Sequence, residues 1–198
     1  MSQKRQEIIE SAALLIHSKG YESTKLSDIL EASKTGKGQF YYYFSSKHEL
    51  GLAVIDYFFS SFNRELLENI LSSRKSPEVR LNEMLEWMVE SHNAKESKCG
   101  CVFGNLAVEM SEHDEEFRKK VGGVFEAWTE KVKLVLMEMF KSSEPIAPLE
   151  VEKLAQGVVA MLEGGLLMMK NKQDIDVFKN MTELVRSLVK NFASSHLP

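Results

Sequence analysis

A chain of 198 residues, 43% hydrophobic and 27% charged, has an ordinary globular composition and is long enough for one sizeable domain or a small domain joined to a larger one. A net charge of −4 excludes a uniformly basic chain, so any contact with nucleic acid rests on local charge, and between Lys34 and Lys47 there are three lysines and no acid. No apolar run approaches a bilayer span, the longest lying near Gly164 to Met169, and Met1-Ser2-Gln3-Lys4-Arg5 is unlike a signal peptide. Cys99 and Cys101 are too close to frame a disulfide scaffold. Together these features predict a reducing cytoplasmic setting and no membrane partner.

Helical periodicity runs through the chain. Ile8, Ile9, Ala12, Leu15 and Ile16 form one stripe, with Gly20 placed to stop the helix. Leu26, Ile29 and Leu30 begin a short second helix, with Thr24 as the expected N-cap. Gly36 and Gly38 bracket Lys37 ahead of Phe40-Tyr41-Tyr42-Tyr43-Phe44, and Ser45, Ser46 and Glu49 predict a capped helix start. Val54, Phe58, Phe62, Leu66 and Ile70 predict one long helix, and Ser76-Pro77 opens another carrying Leu81, Leu85, Met88 and His92. Cys101 to Met110 is a shorter apolar helix. The clearest stripe is Phe117, Val121, Val124, Phe125, Trp128, Val132, Val135 and Met139. Ser142 to Pro148 is the expected loop. Val151, Leu154, Val158, Met161, Gly165 and Met168 follow it, and Asp174 starts a last helix with Phe178, Met181, Val185, Leu188 and Phe192. The fold class is all-α, with about nine helices and no strand.

Residues 20 to 50 carry the most specific signal. A short helix, a tight turn and a second helix fit a helix-turn-helix, with Ile29 and Phe40 packing the two helices together. Three consecutive tyrosines cannot all lie on one narrow buried stripe. Thr24, Asp28, Ile29, Ala32, Lys37, Gly38, Tyr41, Tyr42, Phe44, Lys47 and Leu50 match, in one ungapped frame, the signature of the TetR family of transcriptional regulators, which this segment closely resembles. The resemblance implies a three-helix DNA-binding domain over residues 1–48 and a helical effector-binding and dimerisation domain over 49–198. It also implies double-stranded operator DNA, a homodimer and a small-molecule effector as partners, and repression relieved by that effector.

On this expectation Lys37, Gln39 and Tyr41 point to DNA from the recognition helix, with Gln39 suited to an adenine edge. Lys34, Lys37, Lys47 and the hydroxyls of Thr24 and Tyr42 suit phosphates. Lys25, Thr35, Gly36 and Gly38 complete the expected contact set. The segment departs from the family pattern where Lys34 replaces a turn glycine, Thr35 a buried valine and Leu30 a small alanine. Lys34 therefore predicts either a changed backbone or strain.

In the C-terminal part Trp87, Met88, His92, Cys101, Phe103, Asn105, Met110, Phe125, Trp128, Met161 and Met168 are candidates for an effector pocket, and they favour an apolar or aromatic molecule. Gly157, Gly164, Gly165, Phe178, Met181, Val185, Leu188 and Phe192 are the expected dimer face, a four-helix bundle built from the last two helices of each chain. Glu163, an acid on an apolar helix, is expected to be partly exposed. Two alternatives stay open. One is a thiol switch on the same fold, with Lys98 and a helix N-terminus activating Cys101. The other is a helical carrier of apolar molecules without DNA binding. No catalytic set, metal site or cofactor motif is evident, so an enzyme is not expected.

Overall fold

The computed structural model describes residues 2–93, 99–141 and 147–194. Among them are nine α-helices and no strand: α1 (Gln3–Lys19), α2 (Leu26–Ala32), α3 (Lys37–Tyr43), α4 (Lys47–Phe62), α5 (Pro77–Asn93), α6 (Val102–Met110), α7 (Glu115–Met139), α8 (Pro148–Lys172) and α9 (Ile175–Ser194). Residues 142–146 of the expected loop, and Lys98, lie outside the described residues. No helix among the described residues is long and apolar enough to cross a membrane.

Contacts divide the chain into two compact units. One is Met1–Phe62 with Val102–Val124, and the other is Asn63–Cys101 with Phe125–Pro198. The helix-turn-helix residues thus share their unit with α4, α6 and the first part of α7.

In the first unit α1 buries Ile8, Ile9, Ala12, Ala13 and Ile16 and packs on α2 and α4. Ile29, Phe40, Phe44, Leu50, Val54 and Ile55 complete this core. Each such side chain removed from water contributes roughly 1.5–3 kcal/mol. Gly20 ends α1 at φ 88°, where its N–H bonds to the Ile16 carbonyl at 2.9 Å, and a Cβ there would meet the Glu109 carboxylate at 3.0 Å. Ser46 Oγ accepts the Glu49 N–H at 3.1 Å, while the Glu49 carboxylate accepts the Ser45 N–H at 2.7 Å, which is the expected capped start of α4.

In the second unit α8 packs along α9, and α9 packs on α5. Val151, Leu154, Val158, Leu162, Leu166 and Met169 of α8 are buried, as are Phe178, Val185 and Val189 of α9. The long helix expected through Ile70 differs in detail. The α-helix ends at Phe62, and Asn63–Glu68 is a π-helical segment, with five-residue bonds from Asn69 N–H to Arg64 O and from Leu71 N–H to Leu66 O. Ile70, the last residue of the expected stripe, is only half-buried, and the buried face passes from Leu66 and Leu67 to Leu71, a spacing of four to five that exceeds the 3.6 residues of an α-helical turn. Widening the turn keeps Leu66, Leu67 and Leu71 all buried.

Candidate functional site

The turn between α2 and α3 is built from buried polar groups. Ser33 Oγ donates to the Ile29 carbonyl at 2.7 Å, the Thr35 N–H to the Leu30 carbonyl at 2.9 Å, and Lys4 Nζ to the Ser33 carbonyl at 2.8 Å. Lys34 sits at φ 49°. Of the two outcomes expected for the missing turn glycine, the backbone keeps its left-handed conformation and the lysine carries the strain.

From this brace α3 presents one face outward. Phe40 is fully buried while Lys37, Gly38 and Gln39 are exposed, Tyr41 is 49% exposed and Tyr42 81%. A Cβ added to Gly36 or Gly38 would meet nothing within 4 Å, so neither glycine is required by the fold's own packing. The exposed lysines and glutamine, the phenol hydroxyls and the cleared backbone form a surface able to donate to phosphates and to base edges.

Two expected contacts are corrected. Thr24 is 0% exposed and its Oγ1 donates to the Gly20 carbonyl at 2.6 Å, so its hydroxyl braces the loop after α1 and does not face a phosphate. The N-cap of α2 is Lys25, whose N–H reaches the Asp28 carboxylate at 3.4 Å. Thr35 is also buried, with Oγ1 donating to the Ser33 carbonyl at 3.1 Å, as befits the place of a buried valine. Lys47 is half-buried. Its Nζ lies 4.2 Å from the centre of the Tyr21 ring and donates to the Tyr21 carbonyl at 2.7 Å.

The same unit contains a clamp that pattern reading missed. Glu109, on α6, accepts the N–H of Tyr21 at 2.9 Å and of Glu22 at 2.7 Å. Asp114 Oδ1 accepts the N–H groups of Glu116 and Phe117, each at 3.0 Å, and so caps α7, while His48 lies against its other oxygen. The Phe117 N–H is the main cause holding the Asp114 carboxyl below its usual range, with His48 adding to it. Burial, followed by Glu22, Asp114 and Glu109, pushes the Tyr21 phenol up to about 12.

The expected effector residues divide between the units. Phe103, Asn105 and Met110 belong to the first, where the Phe103 ring lies 5.6 Å from that of Phe62. Trp87, Met88, His92, Cys101, Phe125, Trp128, Met161 and Met168 belong to the second. There Trp128 is buried with its indole N–H 3.4 Å from Met84 Sδ, Met88 is buried, and one His92 nitrogen lies 2.8 Å from the Met88 carbonyl. Met168 is 48% exposed on α8, on the outer face of the helix.

Cys101 is partly accessible and hydrogen-bonds Glu163. The Glu163 residue is half-buried, but its Oε1 is shut from solvent and has no partner among the described residues. Burial pushes this carboxyl up to about 7, against a smaller lowering by Cys101.

Of the expected dimer residues, Phe178 and Val185 are buried within the chain, and a Cβ on Gly165 would come 2.9 Å from Met181 Cγ and 3.1 Å from Phe178 Cδ2. These positions hold α8 to α9. Gly157 and Gly164 have open space beside them, Leu188 is exposed, and the half-buried Phe192 ring lies 5.5 Å from that of Phe140.

Residues 8–54 match the family model for bacterial regulatory proteins of the tetR family, and residues 77–184 match that of the transcriptional regulator LmrA/YxaF-like C-terminal domain. The chain is 37% identical, over 92% of its length and 91% of the relative's, to an HTH-type transcriptional regulator in the lacX 3′ region of Lactococcus lactis subsp. lactis. It is 27% identical, over 88% and 87%, to the HTH-type transcriptional repressor DhaR of Mycobacterium sp. (strain GP1). The crystal structure of regulatory protein TetR from Rhodobacter sphaeroides superimposes with a TM-score of 0.83 at 29% identity, over 93% of this chain and 97% of that one. The chain belongs to the TetR family of transcriptional regulators, which are helix-turn-helix DNA-binding proteins and not enzymes.

Proposed function

We propose that the protein is a dimeric repressor that leaves its operator when a small apolar or aromatic molecule enters its C-terminal part. The observation that carries the DNA-binding surface is α3 itself, where Lys37, Gln39, Tyr41 and Tyr42 are exposed beside two glycines that nothing in the chain crowds. Tyr42 touches Tyr43 edge-on, with ring centres 4.9 Å apart, yet leaves most of its ring and its hydroxyl in solvent, more than core packing requires. The DhaR relative is a transcriptional repressor, and repression is carried over from it to this chain as a proposal.

The dimer face we assign is the outer stripe of α8 and α9. Gly164, Leu167 and Met168 recur at helical spacing on one, and Leu184 and Leu188 on the other, and the leucines and Met168 are all exposed. A two-fold pair of such faces presents two recognition helices to a two-fold operator. Effector binding acts by stabilising whichever arrangement of the pair fits the operator worse.

A mobility shift with purified protein and the DNA upstream of its own gene tests the proposal. A saturable, competitor-resistant shift lost in Gln39→Ala and Tyr42→Ala supports it. A folded dimer with no specific shift there, or on DNA from random-site selection, overturns it in favour of a carrier of apolar molecules. Retention of full release by electrophiles in Cys101→Ser would remove the thiol-switch alternative.

A further inference from the structure

Away from the recognition helix and from every residue assigned above, the second unit contains a cavity of about 350 Å³. Its wall includes Ser73, Arg74, Lys75, Arg80, Lys131 and Glu138. Arg80 is the informative residue. It is only 5% exposed, in the first turn of α5, with Nη1 donating to the Leu71 carbonyl at 3.1 Å and Nη2 paired with Glu138. Its Nε is buried and has no acceptor among the described residues, and neither does Ser73 Oγ, which is buried in the wall of the same cavity. Buried polar atoms without partners are rare, and two of them in one cavity wall point to a missing acceptor.

The charge around the cavity has the sign that acceptor needs. Lys131 pairs with Glu68 at 3.4 Å and donates to Ser72 Oγ at 2.6 Å, Lys75 pairs with Glu83 at 2.5 Å, and Arg74 makes no ion pair with any described residue. With Glu68, Glu83 and Glu138 all counted, the cluster keeps a positive surplus. The Glu138 side chain is mostly exposed, so its carboxylate can turn out to water as an incoming anion takes its place on the buried Nη2.

We propose that this cavity binds the oxyanion group, phosphate or carboxylate, of a small molecule. The Nε–Nη2 edge of Arg80 takes two oxygens side-on, the Ser73 hydroxyl donates to one of them, and Arg74 and Lys131 supply charge from the rim. The volume admits an anionic head with a small body attached.

Calorimetric titration of the full-length protein at low ionic strength, with inorganic phosphate in one arm and benzoate in the other, tests this. Saturable binding of one probe per chain is expected, and the arm that binds identifies the anion. Arg80→Lys keeps the charge but loses the side-on edge and is expected to weaken binding roughly tenfold, with Ser73→Ala and Arg74→Gln each weakening it several-fold. If Arg80→Lys does not fold, Ser73→Ala and Arg74→Gln decide. Neither probe binding up to about 10 mM, or binding that none of the folded variants alters, overturns the proposal.

Discussion

Nε2 of His48, in the first turn of α4, lies 2.7 Å from Oδ2 of Asp114, the residue that caps α7. One carboxylate therefore ties the start of one helix to the start of another within the unit that carries the recognition helix. Because the Asp114 carboxyl is held below its usual 3.8, its contribution to stability is present above that value and is lost as pH falls through the folded-state value. Asp114→Ala removes the cap as well and is expected to cost about 1 kcal/mol at neutral pH. Urea midpoints measured from pH 7 down to pH 3 should show a shallower acid limb in the variant than in the parent.

Glu163 titrates the other way. Its carboxyl ionises near 4.5 in the unfolded chain and about 7 in the folded one, so the folded state binds more protons between those values and stability falls as pH rises through that window. The full effect is roughly 3 kcal/mol, reached above pH 7. Glu163→Gln should therefore be more stable than the parent at pH 8 and nearly equal to it at pH 4. Thermal melts at the two pH values check this, and equal stability at pH 8 would show the carboxyl to be solvated.

Lys34→Gly removes a left-handed non-glycine residue from the recognition turn. The relief is expected to outweigh the glycine entropy cost and raise stability by up to about 1 kcal/mol. If Lys34 also contacts a phosphate, the same variant loses affinity and lowers the salt dependence of DNA binding, so melting and a salt series should move in opposite directions.

Thr24→Val deletes the hydrogen bond to the Gly20 carbonyl while keeping the shape of a fully buried side chain. A loss of about 1–2 kcal/mol is expected, from the carbonyl left unpaired. Any fall in DNA affinity should track the unfolded fraction and leave the salt dependence unchanged, because this hydroxyl touches no phosphate.

Tyr42→Ala and Lys37→Ala make the opposite case. Both side chains are exposed on α3, so melting temperatures should stay within about 0.5 kcal/mol equivalent of the parent while operator affinity drops. Lys37→Ala should reduce the salt slope by about one.

The helices and the recognition segment were legible in the sequence because their signals are local. Ile29 and Phe40 are buried where a helix-turn-helix needs them, and Pro77 and Ser46 open helices as their types predict. Thr24 misled because a threonine before an apolar run has the pattern of an N-cap, while its actual acceptor is a carbonyl four residues back. Lys34 showed that something had to give in the turn but not what. Glu109 was invisible, since its partners are backbone N–H groups 87 and 88 residues away, and backbone groups carry no sequence signature. Phe178 and Val185 read as a greasy outer face because a stripe does not reveal which neighbour covers it; α8 and α5 of the same chain pack on α9.

The π-helical segment Asn63–Glu68 holds what amounts to one residue more than a regular helix would use over the same rise. Helical geometry can therefore absorb the loss of a single residue here, by closing the wide turn to an ordinary one, where it could not in the regular helices on either side. The chain has a built-in point of length tolerance between α4 and α5, and a scan of single-residue deletions should find its most permissive helical positions there.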